Sequence, residues 1–479
     1  MKTQIRNNRP MAMWGAVVIT LTCLLVAKPA FAATDTWNGG AVPDGNWLTP
    51  GNWNGVTPTT NDLLVFTGGT QTATTNNFSA GTAFNNLSFS SGASPFTLGG
   101  NSMVLSSPTD AGSGQIAGGS IISSSSSTNT IRLPVTLATG KHTITGGSGA
   151  GLLKLNGTVT HNNGAVAIMS GNINVTGGFV LTNGLLGGWA VYNNNWATLD
   201  ANNNVTNYTA YTDIAANGTL PNTATANVRI PNNGAATATA ALPATVTKIN
   251  SLFFGSPTAS SGNETVTIGA GKSLVLGQNG GIYNNTGVAG AGTYRTLLIG
   301  ANIGSGGTLT AGDGINPATI TFGSAPLPST GSYLTINSSI TDNGPAPVTV
   351  VVAGAYMQMN GEGSGLGTLA VTNTYSGGTY ILQGRVSQPG SRTFGTGPIY
   401  IVSGGQFNTG AQITNEIFVE GSGTTENGGL GAVRIYSAVL GSGVLGNLCG
   451  TVHLTGNAAI GGNGNANNGG QPFNGISGK

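Results

Sequence analysis

The sequence predicts an all-β chain built as a parallel β-helix or a related β-solenoid, preceded by an N-terminal signal peptide. Three observations predict it. The 479 residues include 81 glycines and only 6% charged residues, far from the usual balance of a globular domain. Short runs of Val, Ile, Leu, Phe and Thr alternate with polar residues at period two, and no apolar stripe recurs at period 3.6 beyond the leader. Gly-Gly, Asn-Gly and Asn-Asn pairs punctuate those runs and supply corners that tolerate positive φ. High glycine without a G-X-Y period excludes collagen. The apolar bursts can bury a core, which argues against disorder. A solenoid also removes the size limit of a single globular core, because each layer packs only on its neighbours.

In chain order, the leader comes first. Lys2, Arg6 and Arg9 form a positive segment, residues 11–26 are apolar apart from two threonines, and Ala30-Phe31-Ala32 supplies the small residues of a cleavage site. Residues 1–32 therefore read as a secretory signal peptide, and the chain is expected to be exported. The apolar run is short for a membrane span, and no later segment is apolar enough to cross a bilayer as a helix. Cys23 lies inside the apolar run after Thr22, so it marks no lipid-attachment site. Cleavage after Ala32 removes four of the 15 basic residues and leaves 11 against 13 acidic ones, a net charge near −2. That balance offers no basic surface for nucleic acid. Cys449 is then the one remaining cysteine, so no intrachain disulfide forms; its place in Leu448-Cys449-Gly450 beside a strand reads as a small buried apolar residue.

The body of the chain reads as strand–turn–strand units. Examples are residues 165–169 with 173–175, 265–268 with 273–276, and 334–336 with 348–352. Gly99-Gly100, Gly146-Gly147, Gly177-Gly178 and Gly306-Gly307 read as corners, and corner asparagines are expected to stack on one another from layer to layer. At roughly 20–25 residues per layer and about 4.8 Å between layers, the exported chain would be a rod on the order of 90 Å long. A longer repeat also occurs. Phe84-Asn85-Asn86-Leu87-Ser88-Phe89, followed by Phe96-Thr97-Leu98 and Ser102-Met103-Val104-Leu105, has a counterpart in Ile249-Asn250-Ser251-Leu252-Phe253-Phe254, followed by Val266-Thr267-Ile268 and Ser273-Leu274-Val275-Leu276. Two stacked modules, 33–190 and 191–479, are expected, because Trp189-Ala190-Val191-Tyr192 and Asn193 to Asn195 interrupt the pattern.

Residues 369–386 spell one layer with its turns: an alternating run at 369–371, the corner Asn373-Thr374-Tyr375-Ser376-Gly377-Gly378, a run at 379–382, and a second corner at Gln383-Gly384. Residues 367–386 resemble the autotransporter-associated β-strand repeat, at Gly367, Thr368, Leu369, Val371, Asn373, Thr374, Tyr375, Ser376, Gly377, Gly378, Thr379, Ile381, Gly384 and Val386. Gly395-Thr396-Gly397-Pro398-Ile399-Tyr400-Ile401 resembles the half-turn that follows such a repeat. Trp37-Asn38, Asn46-Trp47, Asn52-Trp53 and Phe66 resemble the opening of large secreted proteins that carry it. The tight match covers about 20 residues, with looser similarity over most of the exported chain. The resemblance implies a right-handed β-helix passenger, displayed outside a Gram-negative-type envelope. Two departures matter. Residues 461–479 are Gly/Asn-rich and contain no ten-residue alternating strands of a membrane barrel. Ile476-Ser477-Gly478 resembles the first residues of a further repeat, so the chain is expected to be a fragment of a longer protein.

Chemistry-bearing residues are sparse. Ala270-Gly271-Lys272-Ser273 is spelled like a phosphate loop, but Val266 stands where another glycine is needed and an alternating strand follows. Gly441-Ser442-Gly443-Val444-Leu445-Gly446 spells G-x-G-x-x-G outside any α/β context and reads as a turn. His142, His161 and His453 are isolated and read as surface residues beside strands, with no metal-ligand spacing. Among acids the candidate pairs are Asp200 with Asp213 and Glu416 with Glu420. The last two share parity, so a straight strand would point both to one face, with Arg434 and His453 one or two layers away. Such a groove could serve a carbohydrate-active enzyme, although an exposed strand face explains the same residues. The expectation is thus a secreted or surface-displayed structural or adhesive rod, monomeric, with glycans as partners and no cofactor, metal or catalytic residue assigned. A polysaccharide lyase or glycosidase, or a passive spacer, is the alternative.

Overall fold

In a computed structural model, residues 32–106, 119–215, 217–231, 237–255, 263–285, 296–300, 307–324, 334–359, 373–388, 394–402, 404–409, 412–424, 431–436 and 447–463 are described. The signal-peptide reading of 1–31, the strand expected at 369–371, Gly306 and the turn 441–446 lie outside them. The chain is all-β: strand after strand, with one 3-10 turn among the described residues, at Pro50–Asn52. Nearly every strand pairs in parallel with one met a layer later. No described helix is long and apolar enough to cross a membrane.

The first array holds three sheets. One runs Thr34–Trp37, Leu63–Phe66, Asn86–Phe89, Ser120–Ser123, Gly140–Thr145, Ala165–Ser170, Ala190–Tyr192; the other two run Thr82–Phe84, Met103–Leu105, Val135–Leu137, Val159–His161 and Ala73–Asn76, Thr97–Gly100, Thr128–Ile131, Leu152–Leu155, Ile173–Val175. Alternation explains the elements: in Gly140–Thr145 the residues Gly140, His142 and Ile144 are buried and Lys141, Thr143 and Thr145 are not. The core of this array extends from Trp37 to Val205 and starts on an aromatic plug. Trp37 meets Trp53 edge-on at 5.0 Å, Trp47 meets Phe66 at 5.6 Å, and Phe66 meets Phe89 and Phe96 at 5.7 and 5.5 Å. The tryptophan-rich opening is thus a cap over the first layer.

The parallel pattern breaks at Ala190–Tyr192, Asn195–Leu199 and Val205–Asn207, which pair antiparallel. A second core then extends from Ile214 to Leu448. The long repeat has a structural counterpart. Asn86–Phe89 pairs with Leu63–Phe66 as Ser251–Phe254 pairs with Asn227–Ile230, and in each copy a buried asparagine, Asn85 or Asn250, precedes the strand. In the second array two sheets fuse where Val348–Met359 and Thr379–Gln388 are long enough to belong to both. Gln383-Gly384 is therefore no separating corner. The strand continues through it, with Gly384 at φ +80° and a shift of pairing between Ala353 and Tyr356.

Corner asparagines follow two patterns. Asn250 Nδ2 donates to Asn227 Oδ1 at 2.7 Å, which is the expected amide ladder. Elsewhere the amide caps a neighbouring backbone: Asn373 Oδ1 accepts from Ile340 N, and Asn415 Nδ2 donates to Gly397 O. Gly146 and Gly147 lack positive φ and are glycines for a different reason, since a Cβ would strike the backbone of Asn172 or Gly151. The two arrays also touch side by side. Val166 of the first packs with Val351, Ala353 and Leu382 of the second, Trp196 meets Tyr283 at 5.3 Å, and Asn183 Nδ2 donates to Asn250 Oδ1.

Candidate functional site

Parallel in-register pairing puts like positions of successive strands one above another. Tyr380, Tyr400, Phe418 and His453 occupy one such column on the outer face, in the strands Thr379–Gln388, Ile399–Ile401, Ile417–Gly421 and Val452–Ala458. Their ring centroids lie 4.6, 4.9 and 4.5 Å apart, with planes within 7°, 12° and 11° of parallel. Each ring is half-buried. The column begins at the contact between arrays, where a Cβ on Gly164 would lie 2.7 Å from the Tyr380 ring. Burial, and then Tyr400, raise the Tyr380 phenol above its ordinary range. The column ends at His453, whose Nε2 meets Glu416 Oε1 at 2.6 Å in an exposed pair. Leu454, next to it, is 66% exposed.

Glu416 and Glu420 do not act as a pair. Glu416 is exposed before the strand begins, whereas Glu420 is buried. The strand is not straight: its register to Val452–Ala458 slips between Val419 and Gly421, so parity fails at Glu420. Arg434 is buried as well, and only His453 of the expected groove joins Glu416. Asp200 and Asp213 also separate. Asp200 caps its own turn through Asn202 and Asn204, and Asp213 binds Arg229 through two 2.6 Å contacts.

Of the other histidines only His142 differs from the surface reading; His161 is half-exposed at the end of Val159–His161. His142 is fully buried because it shares parity with Ile144; its ring nitrogens face Gly119 O and Ala138 O, and burial lowers its pKa. His161 stacks on Trp189 at 4.5 Å. Cys449 is exposed rather than buried: Asn447–Leu448 ends before it, and alternation no longer fixes its direction. Lys272 Nζ donates to Leu242 O and Ser273 Oγ pairs with Thr308 Oγ1, contacts that tie neighbouring layers together. No group of three metal-ligating side chains occurs among the described residues.

A further acidic site escaped the sequence reading. Asp35 and Asp62, 27 positions apart, are both buried at the first layer. Asp62 accepts hydrogen bonds from Ala33 N at 2.7 Å, Thr59 N at 2.6 Å and Thr59 Oγ1 at 2.8 Å. Burial first, then the charge and hydrogen bond of Asp62, push the Asp35 carboxyl up to about 6. Asp35 shares parity with buried Trp37 in T-D-T-W, the signal that could have placed it inside.

Comparison with protein-family models, curated proteins and solved structures returns no match for this chain.

Proposed function

We propose that the two arrays wind as right-handed parallel β-helices and that the exported protein is a structural or adhesive rod at or beyond the cell surface. The outer column Tyr380–Tyr400–Phe418–His453 carries the adhesive part of this reading. It lays apolar ring edges beside a polar pair, Glu416 with His453, in a chain with few charges. Glycans suit such a strip: their hydroxyls take the carboxylate and imidazole, and their C–H faces take the aromatic carbons. The three-apart strand pairing and the merged sheets support the winding.

The test is a glycan array followed by titration of any hit with the wild type and with a Phe418→Ala/His453→Ala double variant. Saturable binding that weakens tenfold or more in the double variant supports adhesion through this column. Binding that ignores the substitutions moves the adhesive surface elsewhere, and no binding at all leaves a spacer.

A further inference from the structure

Asp35 and Asp62 form a buried acidic site. Asp35 is 7% exposed, and no donor other than the neighbouring Asp62 carboxyl serves its Oδ2. The strand paired with its own, Leu63–Phe66, carries no titratable side chain; segment 59–62 contributes only Asp62, and the Asp44 of the tryptophan segment is held by Asn46 N and Thr49 Oγ1. No described hydrogen bond or ion pair brings Lys, Arg or His to either carboxylate. The fold does not require the acids. In the second array the position that pairs like Asp35 is Thr212, exposed to solvent, and the position that pairs like Asp62 is Ala226.

The nearest donor is the backbone nitrogen of Ala33, 2.7 Å from Asp62 Oδ1. Ala33 directly follows the Ala30-Phe31-Ala32 cleavage signal. It is also two residues before Asp35, immediately ahead of the strand Thr34–Trp37. We propose that the Asp35–Asp62 pair is the receptor for the α-ammonium of Ala33 that signal-peptide removal creates. This rests on the export reading given above. Hydrolysis adds the hydroxyl of water to the Ala32 carbonyl carbon and its hydrogen to the Ala33 nitrogen, which takes a further proton at neutral pH. One amide donor becomes three N–H donors bearing a full charge. Asp62 Oδ1 keeps its partner, and Asp35 Oδ2 gains one.

The two forms then lose stability in different pH windows. Before cleavage the fold favours protonated Asp35, so stability falls as pH rises from the ordinary carboxylate range to about 6. After cleavage the ammonium draws Asp35 down and that loss disappears. A new loss sets in as pH rises through the pKa of the paired amine, which lies above the usual α-amino value of about 8.

The test has two arms. The full chain is exported and its N-terminus sequenced; Ala33 as first residue is expected, and any other residue overturns the processing step. Independently, thermal unfolding is followed from pH 4 to 9 for a chain beginning at Ala33, within the compact unit Ala32–Lys479, and for the same chain extended by Gly-Ser. Asp35→Asn is expected to lower the midpoint at pH 7 in the Ala33 chain and to raise it in the extended chain. A shift of the same sign in both overturns the pairing. Acetylation of the N-terminal amine, expected to be at least tenfold slower at Ala33 than on the extension, gives a second readout; equal rates also overturn it.

Discussion

The two arrays open in the same way on the backbone and differently in their charges. Thr34–Trp37 pairs with Leu63–Phe66 as Thr212–Asp213 pairs with Asn227–Ile230. In the first array the acids Asp35 and Asp62 are buried, and no ion pair among the described residues reaches them. In the second, one position further along, Asp213 lies on the outer face and holds Arg229 in a two-point contact, with the guanidinium 5.2 Å from the centroid of the Tyr211 ring. Parallel ladders supply the fold in both places, and side chains at equivalent positions are free to differ. Burial separates the two positions: Asp35 is 7% exposed in the layer that holds the tryptophan cluster, whereas Thr212 is exposed to solvent.

The sharpest way to break the comparison is to remove the cap. Trp37→Ala is expected to cost about 3–5 kcal/mol in urea unfolding, as for other large buried aromatics. Ile214, which stands where Trp37 does in the other array and is slightly exposed, should cost less as Ile214→Ala. Next comes the amide ladder at the junction. Asn250→Ala strips a partner from Asn183 and one of two donors from Asn227 Oδ1, for a loss of about 1–3 kcal/mol by the same measurement. Arg229→Ala tests the exposed pair. With the two side chains 33% and 48% exposed, the expected loss is about 0.2–1 kcal/mol, shrinking as salt is raised. The smallest effect belongs to Glu416→Gln, within about 0.5 kcal/mol for a surface site. Digestion assays on plant or host glycans are expected to show no sugar release from wild type or variant; release lost in the variant would install the carbohydrate-active reading.

Much of the strand plan was legible because short period-two apolar runs mark strands even where burial does not alternate, as in Ile173–Val175 and Leu334–Ile336. Ile173–Val175, Ser273–Leu276 and Leu334–Ile336 stand where period two puts them. Legibility failed where backbone irregularity or long-range closure decides. Glu420 is buried because of a register slip that no local pattern announces. Gly384 was read as a corner because a glycine in a strand and a glycine in a turn are spelled alike. His142 was misplaced despite a usable signal, its parity with Ile144. Asp35 and Asp62 meet only after the chain has folded the 27-position loop carrying Trp47 and Trp53, so their pairing was beyond a local reading.

The stacked outer column also has an optical consequence. Tyr380 and Tyr400 lie 4.6 Å apart and 7° from parallel only while their strands hold register, and a one-residue slip would turn Tyr400 to the opposite face. Near-ultraviolet circular dichroism, which reports fixed aromatic packing, therefore gives this chain a built-in spectroscopic gauge of strand alignment that needs no label.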